Sequence, residues 1–292
     1  MDVVLKTEFK DLKLLGRGKV RDIYEVEGNL LIVTTDRISA FDVILPNGIP
    51  YKGYVLNQLS KFWFELMSDI VPNHIITTDV DKMPAVTHKY KKILDGRSML
   101  TKIAKPLPVE CVVRGYLAGS GWREYLKTGE ICGIKLRQNL RLAEKLNEPI
   151  FTPATKEELG KHDENVDFKR VVSILGKDAA DNVKKYCLEI YKKAVNIAEN
   201  RGIIIADTKM EFGFYENNII LIDELITPDS SRFWYKKDYK VGVAPVSMDK
   251  QYVRDYLESL EWDKNPPAPE LPQGVVVKTS EKYLEIMRQL IE

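Results

Sequence analysis

The chain has 292 residues, enough for one large core or two smaller domains of the usual size. Hydrophobic residues make up 44% and charged residues 30%, which is typical of a globular protein and excludes a disordered one. The formal net charge of +1 argues against a general nucleic-acid or membrane-surface binder, because those functions usually need a strongly basic face. It leaves room for a local basic pocket that binds a small anionic substrate.

The cysteines and the N-terminal segment indicate the compartment. Cys111, Cys132 and Cys187 are odd in number and form no Cys-x-x-Cys pair, so we expect reduced thiols and neither disulfides nor a zinc site. The N-terminal segment carries acidic residues where a signal peptide has a basic start and an apolar run. No stretch approaches the roughly 20 apolar residues of a membrane span. We therefore expect a cytoplasmic protein.

The first third of the chain predicts a small β-sheet with one helix. Short β-branched runs predict strands at 20–26, 30–35, 98–103 and 109–113. The first two are joined by a turn at 27–29. Apolar residues at helical spacing predict a helix over 55–70, which Pro72 stops. Two prolines within 105–108 indicate a hinge between two lobes.

The remaining chain predicts mainly helices around one hairpin. Apolar periodicity predicts helices at 122–126, 178–199, 250–260 and 280–291. Gly202 ends the longest of them at the C-cap position. The stretch 137–166 is polar and irregular, and a connection of that length is usually functional or mobile.

A hairpin in the last third carries several charged residues. Because side chains alternate along a strand, a strand over 203–214 places Asp207, Lys209 and Glu211 on one face. A second apolar strand follows at 219–224. A solvated hairpin with ordinary surface charges is the simple alternative, but acidic groups and a lysine beside strongly apolar strands favour a site.

The hairpin register decides which carboxylate faces Glu211. A three-residue turn at 216–218 pairs Glu211 with Asp223, whereas a two-residue turn at 217–218 pairs it with Glu224, and the spacing alone leaves both open. Facing carboxylates repel unless a cation lies between them. Mg²⁺ prefers a few carboxylates together with phosphate oxygens and water, so the hairpin predicts a magnesium site.

A Gly-x-Gly-Lys segment at 16–19 runs directly into a strand. It does not fit Walker A, which has four residues between its glycines and then a helix. It is closer to the flap of kinase-like folds, whose glycines let the backbone approach phosphates. Alone, such a segment is more often a bulge or turn. Together with the acidic hairpin it predicts the two halves of a Mg-ATP site.

Five blocks follow one another along the chain: 18–24, 35–42, 109–120, 207–213 (Asp-Thr-Lys-Met-Glu-Phe-Gly) and 223–234 (beginning Asp-Glu-Leu-Ile-Thr-Pro-Asp-Ser-Ser-Arg). Together they resemble the SAICAR synthetase (phosphoribosylaminoimidazole-succinocarboxamide synthase) family of purine biosynthesis. The resemblance covers essentially the whole chain. The segments at 151–153 and 162–165 look like the longer, yeast-type branch of that family.

The resemblance implies a two-lobe α+β fold of kinase-like or ATP-grasp-like organisation, with ATP in the cleft. An N-terminal antiparallel-sheet lobe over 1–106 would carry the phosphate loop, and a C-terminal α/β lobe over 107–292 the metal hairpin and substrate site. The implied activity is an ATP-dependent ligase that joins L-aspartate to carboxyaminoimidazole ribotide (CAIR), giving SAICAR, ADP and phosphate. Mg²⁺ is the implied cofactor, and the oligomeric state stays open.

The resemblance also implies residue roles. The ATP-binding residues would be Gly16, Gly18, Lys19, Arg21, Lys102 and Leu107. The Mg²⁺ ligands would be Glu211, Asp223 and Glu110, which favours Asp223 over Glu224. The substrate-binding residues would be Arg114, Ser120, Asp229, Ser231, Arg232, Asp36, Arg37 and Ser39. The catalytic residues would be Lys209 and Asp207.

Particular tasks follow for some of these residues. Arg114 and Ser120 would hold the 5′-phosphate of CAIR, because arginine presents a planar fork of donors. Arg232 would reach the ribotide, and Lys209 the reacting carboxylate or phosphoryl group. The alternatives are structural: ion pairs for Arg114, loop stabilisation for Arg232, and pairing of Lys209 with Asp207 or Glu211.

The histidines suggest no catalytic triad. We expect His74 and His88 at the surface, and His162 is a candidate substrate contact within the irregular stretch. Two rival functions stay open: a kinase-like phosphotransferase acting on a hydroxyl, and a non-catalytic nucleotide sensor. The first lacks the His-Arg-Asp and Asp-Phe-Gly motifs of protein kinases, and an activity assay discriminates the second.

Overall fold

The structure, a computed structural model, describes residues 2–155 and 165–292. Over these residues the strands are β1 (Lys13–Arg17), β2 (Arg21–Val26), β3 (Asn29–Thr34), β4 (Arg37–Ala40), β5 (Val43–Gly48), β6 (Ile75–Thr77), β7 (Ser98–Thr101), β8 (Lys105–Pro106), β9 (Val109–Tyr116), β10 (Glu130–Ile131), β11 (Ile134–Lys135), β12 (Lys145–Phe151), β13 (Ala154–Thr155), β14 (Ile203–Tyr215), β15 (Asn218–Ile222) and β16 (Ser231–Tyr235). The helices are α1 (Lys52–Leu66), α2 (Lys91–Leu94), α3 (Gly119–Thr128), α4 (Phe168–Leu175), α5 (Lys177–Asn200), α6 (Gln251–Glu258) and α7 (Gln273–Ile291).

The N-terminal sheet is antiparallel, with strand order β1-β2-β3-β7-β6. The predicted strands at 20–26, 30–35 and 98–103 are confirmed as β2, β3 and β7. The turn between β2 and β3 has two residues, Glu27 and Gly28, and both have positive φ. Such a turn matches the right-handed twist of the paired strands.

A second sheet forms the centre of the molecule. It has seven strands among the described residues, in the order β12-β9-β14-β15, with β13 added to β9 and with β16 and β8 added to β14. Its pairs are antiparallel. The main apolar core lies against this sheet and includes Trp63 of α1, Ile190 of α5 and Ile286 of α7. Helices packed on antiparallel sheets confirm the α+β class.

The predicted helices are confirmed with shifted ends. The helix expected over 55–70 ends at Leu66, before Pro72. The helix expected over 178–199 is α5, and Gly202 follows it with φ +73°. The last helix begins at Gln273, earlier than predicted. Every helix in the described residues is too short or too polar to span a lipid bilayer.

The irregular stretch predicted over 137–166 was wrong in part, because β12 and β13 both pair with β9. β12 is an edge strand, and its ladder is irregular between Lys145 and Ile150, where Pro149 lies. A proline is tolerated at an edge or a bulge, but it hides the alternating pattern of a strand. The three cysteines are buried and form no disulfide with one another in the structure.

A smaller core joins the two halves of the chain. Ile38 and Leu45 of the β4–β5 hairpin pack with Val253 of α6 and Val276 of α7. The N-terminal hairpin is therefore covered by C-terminal helices. The division into lobes at 106/107 stays a prediction.

Asp36 lies inside this junction and not in a substrate cleft, which corrects the expectation for it. Its side chain is fully buried. Oδ2 accepts a hydrogen bond from the amide of Val4 at 2.8 Å, and Oδ1 accepts from the amide of Gly53 at 2.8 Å and from Nη1 of Arg97 at 3.1 Å. Asp36 therefore connects the N-terminal segment, α1 and β7.

We predict that Asp36→Asn lowers the free energy of unfolding by about 3 kcal/mol, because it removes a negative charge that is buried against the guanidinium of Arg97. Urea unfolding measures the change. Asp81→Asn, which alters an exposed ion pair with Lys91, is the control and should change stability by under about 0.5 kcal/mol. A stable Asp36→Asn variant with a raised substrate KM would return Asp36 to substrate binding.

Candidate active site

A cavity of about 650 Å³ opens where the β4–β5 hairpin, the central sheet and α6 meet. Its volume lies in the range of small-molecule sites. The predicted site residues that line it are Lys19, Ser39, Glu110, Ser120, Lys209, Asp229 and Arg232. The other predicted residues of the described chain lie outside this lining.

The register of β14 places Asp207 between two arginines. Asp207 lies opposite Arg114 of β9 and opposite Arg232 of β16. Nη1 of Arg114 donates to Oδ2 of Asp207 at 3.0 Å, and Nη1 of Arg232 donates to the same oxygen at 2.5 Å. Opposite charges in facing cross-strand positions stabilise a sheet. The buried carboxylate of Asp207 therefore orients both guanidinium groups.

Arg114 and Arg232 meet the start of α3. Nε of Arg114 donates to Thr152 Oγ1 and Nη2 to Ser120 Oγ, each at 3.0 Å. Gly119 has φ +55°, and a Cβ there would lie 2.1 Å from Nη2 of Arg232. A side chain at position 119 would displace that guanidinium. Arg232, Ser120 and the first turn of α3 thus form one cationic, donor-rich corner of the cavity.

Lys209 lies between two glutamates. Its Nζ donates to Oε1 of Glu110 at 2.7 Å and to Oε1 of Glu211 at 2.9 Å. Burial alone would lower the pKa of Lys209, but the carboxylates of Glu211 and Glu110 outweigh it and raise this pKa above its usual value. Lys209 is therefore a fixed ammonium ion at the cavity wall. It pairs with Glu211, as the structural alternative allowed, and not with Asp207.

Both predicted hairpin registers were wrong. The turn between β14 and β15 consists of Glu216 and Asn217, and Glu211 pairs with Ile222. Asp223 follows the last residue of β15 and has φ +68°. A regular strand would direct the Asp223 side chain to the face opposite Glu211, so the left-handed backbone at Asp223 is what returns its carboxylate toward the site.

Arg21 joins the first sheet to the end of this hairpin. It forms an ion pair with Asp223, and its Nη2 lies 3.0 Å from Oε2 of Glu224. Burial raises the pKa of Asp223, and the neighbouring Glu211 and Glu224 raise it further, while Arg21 acts in the opposite direction. Asp223 and Glu211 are therefore close enough to repel each other although they are not cross-strand partners.

Four carboxylates lie around the cations Arg21 and Lys209: Glu110, Glu211, Asp223 and Glu224. The charge of Glu224 also acts on Lys250. A divalent cation among these carboxylates would offset their mutual repulsion. Within residues 2–155 and 165–292, no three His, Cys, Asp or Glu side chains converge as a ready-made metal site. The predicted ligands Glu211, Asp223 and Glu110 stay a prediction.

The phosphate loop is held from behind by Arg37. Nε of Arg37 donates to the carbonyl of Lys19 at 3.2 Å, and Nη2 donates to the carbonyl of Gly18 at 3.0 Å. A Cβ at Gly16 would meet no atom within 4 Å, and one at Gly18 would meet only the Arg21 carbonyl, at 3.7 Å. Space over both glycines is therefore open. The expectation that Arg37 contacts substrate is corrected to support of this loop.

The hinge residues have mixed outcomes. β8 pairs with β14, and the amide of Leu107 donates to the carbonyl of Phe212 at 2.8 Å. That amide is therefore used within the fold, and the role of Leu107 in ATP binding stays a prediction. Nζ of Lys102 lies 5.1 Å from the centre of the Tyr215 ring. Its role in ATP binding stays a prediction.

Asp229 and Ser231 are held by the fold. Oδ2 of Asp229 lies 2.7 Å from Nζ of Lys52, and Oδ1 accepts a hydrogen bond from the Tyr283 hydroxyl at 2.7 Å. Burial alone would raise the pKa of Asp229, but Lys250, Lys52 and Tyr283 outweigh it and lower this pKa. The hydroxyl of Ser231 donates to Thr208 Oγ1 at 2.8 Å.

The sequence analysis missed several residues of the cavity. Asp42, at the tip of the β4–β5 hairpin, forms an ion pair with Lys19. Lys250 and Arg254 line the cavity from the start of α6. Their spacing of four residues puts both cations on one helix face, and that pattern was readable in the sequence. His162, the candidate contact in the irregular stretch, lies outside the described residues.

His74 is buried, which corrects the expectation of a surface position. Its side chain is 3% exposed, and within the described chain its Nε2 has no hydrogen-bond partner. Burial, together with the charges of Arg21 and Lys102, lowers the pKa of His74 to about 3. His74 is therefore neutral in the folded protein. His88 is exposed, as expected.

Comparison with known proteins points to one family. The family model for SAICAR synthetase matches residues 14–269. The phosphoribosylaminoimidazole-succinocarboxamide synthase of Thermodesulfovibrio yellowstonii is 61% identical over 289 residues, 99% of both chains. The structure of SAICAR-synthase from Saccharomyces cerevisiae complexed with SAICAR has a TM-score of 0.89 and 45% identity, covering 98% of this chain and 97% of that one. A type-2 SAICAR synthetase in complex with ADP shares the fold, with a TM-score of 0.67, 24% identity and coverage of 94% and 97%.

The buried histidine generates a pH prediction. Its folded-state pKa of about 3 lies below the unfolded value of 6.5, so the unfolded chain binds the proton first as the pH falls. Stability is therefore lost as the pH drops below 6.5, by about 2 kcal/mol between pH 7 and pH 5. We expect His74→Gln to lack this contribution in urea unfolding across that range.

The range from pH 7 to pH 9 is the internal control for the histidine. There the imidazole is neutral in both states, so wild type and His74→Gln should follow parallel curves. Parallel curves that continue down to pH 5 would show that His74 is protonated in the fold.

Proposed function

The chain belongs to the SAICAR synthetase family, and we propose how its residues carry out the family's reaction. It is a ligase that joins L-aspartate to the carboxylate of CAIR and gives SAICAR in purine biosynthesis, with ATP converted to ADP and phosphate. The observation that carries the residue assignment is the cavity's polarity. Carboxylates gather around Lys209 and behind it around Arg21, whereas cationic groups gather around Arg232.

The reaction needs activation of a carboxylate, because an oxide ion is a poor leaving group. Transfer of the γ-phosphoryl group of ATP to the CAIR carboxylate gives an acyl phosphate and ADP. The aspartate amine attacks the acyl carbon, the C–O bond to phosphate breaks, and the amine loses a proton as the amide forms. Positioning and charge neutralisation supply most of the catalysis in phosphoryl transfer.

ATP would lie in the cleft between the two sheets, beneath the loop that contains Gly16 and Gly18, in a kinase-like or ATP-grasp-like arrangement. The open space over both glycines supports close approach of phosphates. Lys19 and Arg21 would neutralise phosphate oxygens. A type-2 SAICAR synthetase of the same fold forms a complex with ADP, which supports a nucleotide as one substrate.

Mg²⁺ fits the acidic end by charge and donor chemistry. The carboxylates grouped around Arg21 and Lys209 supply oxygen atoms, the donors that Mg²⁺ prefers. Glu211 and Asp223 would hold the ion, with Glu110 as a further ligand. When bound, Mg²⁺ would neutralise phosphate oxygens during transfer. Arg21 forms an ion pair with Asp223. Once Mg²⁺ neutralises the Asp223 carboxylate, the Arg21 side chain would be able to turn toward a phosphate group.

The cationic corner suits the 5′-phosphate of CAIR. Arg232 and Ser120 line the cavity there, and Arg114 braces Ser120 from behind. Asp207, proposed from the resemblance as catalytic, contacts both arginines and is better assigned to orienting them. Lys209, fixed as an ammonium ion, would contact the reacting carboxylate or phosphoryl group. A cytoplasmic location is also part of the proposal, because the phosphorylated substrates carry charges that do not cross membranes.

We predict that the purified protein, given Mg-ATP and CAIR, releases ADP only when L-aspartate is present. Coupling ADP release to NADH oxidation measures the rate. The expectation follows because the acyl phosphate is productive only when an amine captures it. Release at an equal rate without aspartate would contradict the ligase chemistry.

Removal of one predicted metal ligand tests the acidic end. Glu211→Ala should lower kcat by about 100-fold or more at ordinary Mg²⁺ concentrations, because transition-state charge on the phosphoryl oxygens is no longer neutralised. Glu216→Ala, on the exposed turn of the same hairpin, is the control and should behave as wild type. Wild-type turnover in a folded Glu211→Ala protein would show that the metal ligands are misassigned.

A further inference from the structure

A buried cluster around Asp229 lies behind the cavity wall. Lys52 begins α1 and is fully buried, and its Nζ lies 2.7 Å from Oδ2 of Asp229. Tyr283 of α7 donates its hydroxyl to the other oxygen, Oδ1, at 2.7 Å. Both oxygens of Asp229 are therefore occupied by the fold. Asp229 itself lines the cavity with a side chain only 5% exposed.

Lys250 lies beside this cluster and faces the cavity. Its Nζ forms no hydrogen bond or ion pair with any residue of 2–155 or 165–292. Both Lys52 and Lys250 lie close enough for their charges to act on the carboxylate of Asp229, but only Lys52 forms an ion pair with it. Burial, together with the nearby cations Arg254 and Lys52, lowers the pKa of Lys250 to about 8, while the carboxylates of Asp229 and Glu224 act in the opposite direction. An unpaired ammonium on a cavity wall is suited to an anionic ligand.

Helix α7 holds both sides of this wall through adjacent residues. Tyr283 binds Asp229, and Nζ of Lys282 donates to the carbonyl of Ser247 at 2.7 Å. The amide of Lys250 donates to the carbonyl of Pro228 at 3.4 Å. The backbone of Lys250 is therefore hydrogen-bonded to the segment that contains Asp229. The fold thus sets the distance between the side chains of Lys250 and Asp229.

We propose that Lys250 binds a carboxylate of one substrate, and that Lys52 and Tyr283 are positioning residues that keep Lys250 available by occupying both oxygens of Asp229. The inference rests on the proposed function for the identity of the substrates. Without the Tyr283 hydroxyl, Oδ1 of Asp229 would lose its donor and would attract Lys250. The internal ion pair would then compete with the substrate.

Two substrates of this reaction carry carboxylates, CAIR with one and L-aspartate with two. A cation recognises the carboxylates of both substrates in the same way, so the KM for CAIR and the KM for L-aspartate are measured separately. The substrate whose KM alone changes in the variant is the one that Lys250 binds. ATP is the built-in control, because its phosphates are proposed to contact Lys19 and Arg21 and not Lys250.

A double-mutant cycle tests the proposal. Lys250→Met should raise the KM for one carboxylate substrate by about tenfold or more, and Tyr283→Phe should raise the same KM by about fivefold. In the Lys250→Met background, Tyr283→Phe should add nothing, because it acts through Lys250. The KM for ATP should stay within about twofold throughout.

Ser280→Ala is the matched control. Ser280 lies on the same helix as Tyr283, and its hydroxyl donates to the carbonyl of Pro50 at 2.7 Å, just before α1. It tests the docking of α7 on α1 without touching Asp229. If Ser280→Ala raises the KM as Tyr283→Phe does, or if the two effects of the cycle add, the positioning role is overturned. Unchanged KM values in Lys250→Met overturn the binding role.

Calorimetric titration of the same proteins with L-aspartate and with CAIR needs no turnover. Weaker binding in Lys250→Met and Tyr283→Phe, with wild-type binding in Ser280→Ala, supports the inference even if the wild type makes no SAICAR. Such binding results in a wild-type protein that makes no SAICAR would reject the proposed function but not the role of Lys250. Equal binding in all variants overturns the inference whatever the activity. Lys250 lies at the cavity wall, so Lys250→Met leaves the core intact and decides the binding role alone if Tyr283→Phe does not fold.

Discussion

Two arginines share the carboxylate of Asp207, and this buried ion triad depends on the register of β14 with β9 and β16. The same register puts Lys209 and Glu211 on the face that carries Asp207. A slip of one residue would turn all three side chains to the opposite face and leave Arg114 without a counter-charge. The charged floor of the cavity is therefore held in place by the backbone hydrogen bonds of the central sheet.

Around this floor the charges are separated by sign. Carboxylates gather near Lys209 and Arg21, while unpaired or shared cations lie near Arg232 and Lys250. Burying charges is costly unless partners are close, and most of these groups have one. The imbalances that persist, negative at one end and positive at the other, match a metal-nucleotide and anionic substrates. A ligase that brings a nucleotide, a phosphorylated ribotide and an amino acid together needs such an arrangement.

The sequence predictions succeeded where the pattern was local. The strands β2, β3 and β7 and the helix α5 follow from β-branched runs and from apolar periodicity, and they lie where expected. Errors arose where a distant partner decides the outcome. β12 is a strand because β9 offers it a ladder, despite Pro149. Asp36 and Arg37 belong to a motif shared with a family. In the structure, however, Asp36 supports the junction behind the cavity and Arg37 supports the phosphate loop.

The sequence by itself determined the family and the reaction, because these depend on motifs that follow one another in order along the chain. It also determined that Asp207, Lys209 and Glu211 share a face, since alternation follows from strand geometry. Only the tertiary structure decided the hairpin register, in which Glu211 pairs with Ile222 and a left-handed Asp223 turns back to the site. It alone decided that Lys52 and Tyr283 occupy Asp229 while Lys250 stays unpaired, because those contacts join residues up to 177 positions apart. Such pairings depend on packing of whole helices and sheets, which no local pattern encodes.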